Sequence, residues 1–152
     1  MKRNYLWGNC DLDERQLLIR GNVFQHMTVL LLSLLLLNGF LKDEGITWAP
    51  GMWENILILW AGLGLGLTEY ILRDIAPAGC RQNILYTFEG ICGGILLVLS
   101  LGHVLGEGRP LAANGALTLE GAHLISALVM VGIFLVFAAK RLYDWRTAGS
   151  EE

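Results

Sequence analysis

Four runs of about 20 mostly apolar residues constrain this chain more than any other feature, because that length matches the ~30 Å hydrocarbon core of a bilayer. They cover residues 21–41, 53–72, 82–105 and 119–139. Composition agrees, since only 16% of the residues are charged and the mean hydropathy is +0.50. The runs lack the alternating pattern of barrel strands, so we expect helices, which satisfy every backbone polar group in lipid.

The predicted fold class is all-α: a polytopic membrane protein with an antiparallel four-helix transmembrane bundle and a short N-terminal interfacial helix. Residues 1–20 form a cytoplasmic segment that contains the interfacial helix, residues 21–142 form the membrane domain, and residues 143–152 form a cytoplasmic tail. Asp11 and Glu14 have the Asp-x-x-Glu spacing of a helix N-terminal capping pair, which supports a helix start at this point.

Positive charges flank the spans asymmetrically. The two tails and the connection 73–81 contain nine Lys and Arg residues, whereas the other two connections contain only Lys42 and Arg109. Positively charged flanks remain on the cytoplasmic side of a membrane. The sequence therefore predicts a multi-pass protein of the cell membrane with both termini in the cytoplasm.

A short motif before the first span carries a family resemblance. Asp13-Glu14-Arg15-Gln16, followed by Arg20-Gly21, resembles the DERQ signature of small bacterial integral membrane proteins. Those proteins form domain-of-unknown-function families, found mostly in Gram-positive bacteria. The stretches 38–43, 48–49 and 72–74 are also similar to such proteins, so the resemblance covers roughly the first half of the chain. It implies a bacterial membrane protein and brings no catalytic residues with it.

Three ionisable residues on three different spans are expected at similar depth on the cytoplasmic side. From the nearest basic flank, and at 1.5 Å per helical residue, His26 lies about 9 Å deep, Glu69 about 6 Å and Glu89 about 12 Å. Ionisable groups at such positions usually face a bundle interior or a water pocket. Two hypotheses follow: a proton- or cation-coupled polar pocket, or a structural role in which Glu69 reaches the interface and Glu89 hydrogen-bonds between helices.

A second polar group lies near the outer ends of the third and fourth spans. It consists of His103, Glu107, Glu120 and His123. Glu120 and His123 share one face of a helix, and a set of nitrogen and oxygen ligands of this kind binds zinc or a similar divalent metal. The alternative is that these are polar helix-end residues hydrogen-bonded near the headgroups. No other cofactor is predicted.

Small residues and a repeating stripe predict how the spans pack. The pairs Gly62/Gly66 and Gly90/Gly94 have the small-xxx-small spacing that lets helix backbones approach closely, either within the core or in a dimer. The short 73–81 connection favours the second and third spans as antiparallel neighbours. Residues spaced three and four apart form one inward-facing stripe on the third span and a similar stripe on the fourth, which predicts that both polar groups lie on one buried seam.

Three classes of function are compatible with these features. We favour a regulatory or accessory membrane subunit that acts through a protein partner, because the sequence has no nucleophile constellation, no nucleotide loop and no large soluble domain. The alternative is a small oligomeric proton- or cation-coupled transporter that uses Glu89, Glu69 and His26. A metal-dependent membrane enzyme is the third. The expected surroundings are the lipid bilayer and a protein partner or a second copy, and the net charge of −3 argues against nucleic acid.

Overall fold

Four long helices form most of the chain in the computed structural model, which describes residues 14–73, 75 and 82–148. All four are long and apolar enough to cross a membrane. They are α1 (Glu14–Asp43), α2 (Trp53–Leu72), α3 (Gln82–Leu101) and α4 (Leu119–Ala148). The prediction of four such helices is confirmed. The third is prolonged by a π-helical turn, Gly102–Gly106, which completes the predicted span.

Two helices are longer than their predicted spans. α1 begins at Glu14 and continues without a break into its apolar part, so residues 14–20 are not a separate interfacial helix. The residues of these turns, Glu, Arg, Gln and Leu, are strong helix formers, and no proline interrupts them. α4 likewise continues through the first residues of the predicted 143–152 tail. Asp11 and the other residues of 1–13 lie outside the described residues.

The helices pack in the order α1, α2, α4, α3. α1 packs on α2, α2 packs on α4, and α4 packs on α3. Leu57 of α2 clusters with Ala122 of α4 near one end, and Ile71 clusters with Ile133 near the other, so α2 and α4 run parallel. The second and third spans, which were expected to be neighbours, share one buried cluster through Ile71 and Tyr86, but the main partner of α3 is α4. We call α1 and α3, which each pack mainly on one other helix, the edge helices.

Two glycines of α2 explain why α1 takes the position expected for α3. A Cβ atom at Gly62 would overlap the side chain of Leu31, and one at Gly66 would lie 2.8 Å from the sulfur of Met27. Both contacts are with α1, so this close-packing face is occupied. The connection 73–81 is long enough for α3 to pack mainly on α4 instead of α2. Its nine residues reach up to about 30 Å, well beyond the 8–10 Å between packed helices.

The glycines of α3 face α4. Gly90 lies against the ring of Phe134, and a Cβ atom at Gly93 would lie 2.7 Å from Cβ of Met130. Gly94, which the sequence pairs with Gly90, has no neighbouring atom within 4 Å of its Cβ position. The seam between α3 and α4 is therefore formed by Gly90 and Gly93, while Gly94 lies outside it.

A small β-hairpin marks one end of the molecule. Its strands, β1 (Ala112–Ala113) and β2 (Ala116–Leu117), pair antiparallel. Asn114 and Gly115 connect them with φ angles of 51° and 81°, and two positive φ values are typical of a type I′ turn. We refer to this as the hairpin end, and to the opposite end, where α2 is followed by Arg73, as the Arg73 end.

Candidate functional site

Two of the three ionisable residues expected at one depth are joined directly. Nδ1 of His26 lies 3.1 Å from Oε2 and 3.2 Å from Oε1 of Glu69. Arg73 lies one helical turn beyond Glu69, and its Nη2 is 2.6 Å from Oε1. His26 belongs to α1 and reaches this position because α1 packs closely on α2 at Gly66. A single carboxylate thus lies between an imidazole and a guanidinium group.

A groove of about 630 Å³ opens beside this cluster. Its lining consists of His26, Gly64, Leu65, Thr68, Glu69, Leu72 and Arg73. The side chain of Glu69 is only 18% exposed, whereas those of His26 and Arg73 are 54% and 44% exposed. The groove therefore presents its nitrogen-bearing side chains to its surroundings, and the carboxylate lies behind them.

Glu89 does not join this cluster. It is half-buried on α3, one turn from Tyr86, and it has no hydrogen bond or ion pair with His26 or Glu69. Its depth is nevertheless similar to that of Glu69, because Tyr86 belongs to the same apolar cluster as Ile71. Of the three residues expected to form one pocket, His26 and Glu69 are paired and Glu89 is separate. Helix α4 lies between α2, which carries Glu69, and α3, which carries Glu89.

An arginine organises the polar group at the hairpin end. Nη2 of Arg109 lies 2.7 Å from Oε2 of Glu107, and its Nη1 donates to Oε1 of Glu120 over 2.6 Å. The hydrogen bond to Glu120 and the charge of Glu107 raise the pKa of the Arg109 guanidinium above its ordinary value. His103 lies close enough to Glu120 to interact with it electrostatically. The sequence hypothesis omitted Arg109, although it lies two residues from Glu107.

The four residues expected as metal ligands are not arranged as one set. His123 packs edge-on against Trp53, with ring centroids 4.7 Å apart, and Glu120 forms an ion pair with Arg109. Within residues 14–73, 75 and 82–148 there is no group of three or more His, Cys, Asp or Glu side chains placed to hold a metal ion. His123 and Glu120 thus each contact a residue that the metal hypothesis did not include, Trp53 and Arg109 respectively.

The most buried acid in the described part of the chain is Glu54, which the sequence hypotheses did not use. It lies in the first turn of α2 and is 1% exposed. Its Oε1 accepts a hydrogen bond of 3.0 Å from the backbone N–H of Trp48, and Nζ of Lys42 lies 3.0 Å from its Oε2. The carboxylate thus fixes the connection between α1 and α2 from within.

Trp48 extends this network in two directions. Its Nε1 donates to Oδ1 of the buried Asn38 over 2.7 Å, and Asn38 in turn donates to Oδ1 of Asn55 over 3.2 Å. The carbonyl oxygen of Trp48 accepts a hydrogen bond of 2.8 Å from the N–H of Leu117 in β2. One sequence pattern indicates part of this network: Asn38 and Lys42 are four residues apart and so share a face of α1.

Comparison with other proteins adds no relative. Scans against protein-family models, curated proteins and solved structures found no match to this chain. The resemblance to the DERQ-signature proteins stays a prediction; its residues Glu14, Arg15 and Gln16 form the first turn of α1, and Asp13 lies outside the described residues.

Proposed function

We propose that this chain is a multi-pass protein of the cell membrane that acts as an accessory or regulatory subunit, through contacts between its helices and a partner protein. Both termini lie in the cytoplasm in this proposal, because positively charged flanks stay on that side. Six of the eight described Lys and Arg residues support this orientation by lying at the Arg73 end. They are Arg15, Arg20, Arg73, Lys140, Arg141 and Arg146.

The observation that carries the proposal is the position of Glu89. Its carboxyl group lies about 12 Å inside the span, on an edge helix, and no described residue hydrogen-bonds to it or pairs with it. An acid inside a bilayer costs at least about 2–3 kcal/mol on insertion scales. Polar side chains in membranes are satisfied by hydrogen bonds from neighbouring helices. A partner helix that packs on α3 and donates to Glu89 supplies that bond.

Photocross-linking from the edge of α3 tests this function. We expect a photoreactive residue at Phe88, which is exposed next to Glu89, to form one discrete protein adduct in the native membrane. Glu89→Leu should abolish the adduct, and Glu89→Gln should retain it because an amide still forms hydrogen bonds. The matched control is the same probe at Phe40, an exposed residue of the other edge helix, which should label lipid.

Two results would contradict this function. A labelling pattern that Glu89→Leu leaves unchanged would remove Glu89 from the interface. An adduct made of two copies of this chain would replace the accessory subunit with a homo-oligomer.

The orientation has its own test. Reporter tags inserted at residues 45 and 112 should report the side opposite to tags on the two termini. Tags at either site that report the same compartment as the termini would refute the four-pass arrangement.

A small proton- or cation-coupled transporter is the second candidate, and the pairing of His26 with Glu69 favours it. This candidate requires an oligomer, because the interior between the two ends is apolar at Leu57, Ala127 and Ile133. Flux into proteoliposomes that depends on a pH gradient and is lost in Glu69→Gln would support transport. Equal flux in wild type and Glu69→Gln would exclude Glu69 as the coupling residue. A metal-dependent enzyme, the third candidate, would require at least three of His103, Glu107, Glu120 and His123 to converge on one ion, an arrangement that the described residues do not have.

A further inference from the structure

The groove at the Arg73 end, between α1 and α2, is separate from the edge of α3 that the proposed function uses. We propose that this groove binds one anionic phospholipid. Its phosphate lies at Arg73, beside His26, and one acyl chain runs along Leu65 and past Gly64. This site requires the bilayer but no protein partner, so it stands independently of the accessory-subunit proposal.

The polar part of the groove has the chemistry of a phosphate site. Glu69 already binds Nδ1 of His26 and Nη2 of Arg73, and this arrangement holds both side chains in place. It leaves the other guanidinium N–H groups of Arg73 without a partner among the described residues. Guanidinium N–H groups match phosphate oxygens in a two-pronged geometry. The carboxylate is less exposed than either partner, so an anion meets the guanidinium group of Arg73 first.

The shape of the groove fits a lipid better than a free anion. Leu65 lies eight residues before Arg73, which corresponds to about 12 Å along the axis of α2. The groove therefore extends from the depth of a headgroup to the depth of an acyl chain. Gly64 lines the groove with its backbone, since its Cβ position faces Val129 of α4, and Leu65 and Leu72 are exposed apolar residues beside it. A polar end and an apolar floor in one continuous trough match the two parts of a phospholipid.

The charge of this end selects an anionic lipid over a zwitterionic one. Six of the eight described Lys and Arg residues lie here. Clusters of basic residues at a membrane surface attract anionic headgroups. Phosphatidylglycerol, which carries a net negative charge, is therefore the appropriate probe, and phosphatidylcholine is the zwitterionic comparison.

Native mass spectrometry of the full-length protein, with each lipid titrated in turn, tests the proposal. We expect wild type to retain phosphatidylglycerol in preference to phosphatidylcholine. Arg73→Gln should weaken phosphatidylglycerol binding about fivefold, the effect of one basic group near the headgroups. Arg141→Gln removes an exposed arginine from the same end but outside the groove, so it removes only part of the general attraction and should weaken binding less than Arg73→Gln does. Equal losses in Arg73→Gln and Arg141→Gln, or no preference between the two lipids, would overturn the site.

Further measurements separate the lipid from other occupants. Glu69→Gln should retain phosphatidylglycerol at least as well as wild type, because the amide oxygen can still accept from Arg73 and the negative charge beside the guanidinium is removed; a loss there would indicate a cation site and contradict the proposal. Millimolar inorganic phosphate should not displace the lipid, and displacement would show that the groove takes free phosphate instead. If Arg73→Gln does not fold, Arg73→Lys serves as the variant: weaker binding is expected because an ammonium group lacks the two-pronged geometry of a guanidinium group, and unchanged binding would count against the site.

Discussion

Nζ of Lys42 lies 3.0 Å from Oε2 of Glu54, and this ion pair joins the last turn of α1 to the first turn of α2. Lys42 is about half exposed, and Glu54 is almost completely buried. The two partners are therefore not equivalent: the lysine can be solvated when its partner is removed, but the carboxylate cannot.

That asymmetry gives the first prediction. Lys42→Met should lower the free energy of unfolding by about 2 kcal/mol, below the 3–5 typical of fully buried pairs because Lys42 is half exposed. The double variant Lys42→Met/Glu54→Gln should be more stable than Lys42→Met alone, since it no longer buries an unpaired charge. Thermal unfolding of the detergent-solubilised proteins measures both. A double variant less stable than Lys42→Met would contradict this prediction, because it would show that the unpaired Glu54 carboxylate still stabilises the fold.

Two glycines one turn apart on α3 provide a matched pair of substitutions. Gly90→Ala should destabilise the protein by about 1–3 kcal/mol, the usual effect of overpacking, because the new methyl group overlaps Phe134. Gly94→Ala should be neutral or stabilise by up to about 1 kcal/mol, because alanine favours the helix and the site is open. Unfolding midpoints of the two variants, each compared with wild type, measure this difference in stability. Equal effects would show that α3 does not pack on α4 through Gly90.

Arg109 should control the mobility of the hairpin and not the stability of the whole fold. In Arg109→Gln we expect severalfold faster hydrogen exchange at the amides of Leu117 and Thr118, which donate to Trp48 and Leu111. The unfolding midpoint should change little, because exposed ion pairs contribute little to stability. A large drop in the midpoint with unchanged exchange would contradict this role.

The pairing of Arg109 with Glu107 and Glu120 should be insensitive to pH in the neutral range. The raised pKa of Arg109 means that its contribution is fully present below the ordinary pKa of arginine and is lost only as the pH rises through the raised value. Once exchange rates are corrected for intrinsic chemistry, protection of Leu117 and Thr118 should be equal between about pH 6 and pH 9, where arginine remains charged. A loss of protection within that range would assign the hairpin contact to another group.

His123 should behave as an aromatic packing residue. His123→Ala should cost about 0.5–1.5 kcal/mol, the value of an edge-to-face pair, because the ring contacts Trp53. His123→Phe should retain most of that stability. Unfolding midpoints measured with and without a chelator provide the check. If phenylalanine were as harmful as alanine and the chelator lowered the midpoint of wild type, His123 would be a metal ligand instead.

Several features of the candidate sites followed from the sequence because they depend on one helix at a time. The helical rise placed Glu69 and Glu89 at similar depth, and the apolar cluster of Ile71 and Tyr86 agrees with that placement. Their lateral separation did not follow, because it depends on which helix lies between them. Glu54 was overlooked for a related reason: its partners Lys42 and Trp48 belong to another helix and a connection, and a position at a helix end normally indicates solvent.

The amino-acid sequence by itself determined that the chain forms four long apolar helices, because length and hydropathy are properties of each segment and the bilayer thickness sets the required span. Only the tertiary structure decided the order α1, α2, α4, α3 and the partners of the ionisable residues. That order depends on the fit of single side chains between distant segments, such as Leu31 at Gly62 and Phe134 at Gly90. A hydropathy pattern shows that a helix has an apolar surface, but only packing decides which helix covers each face.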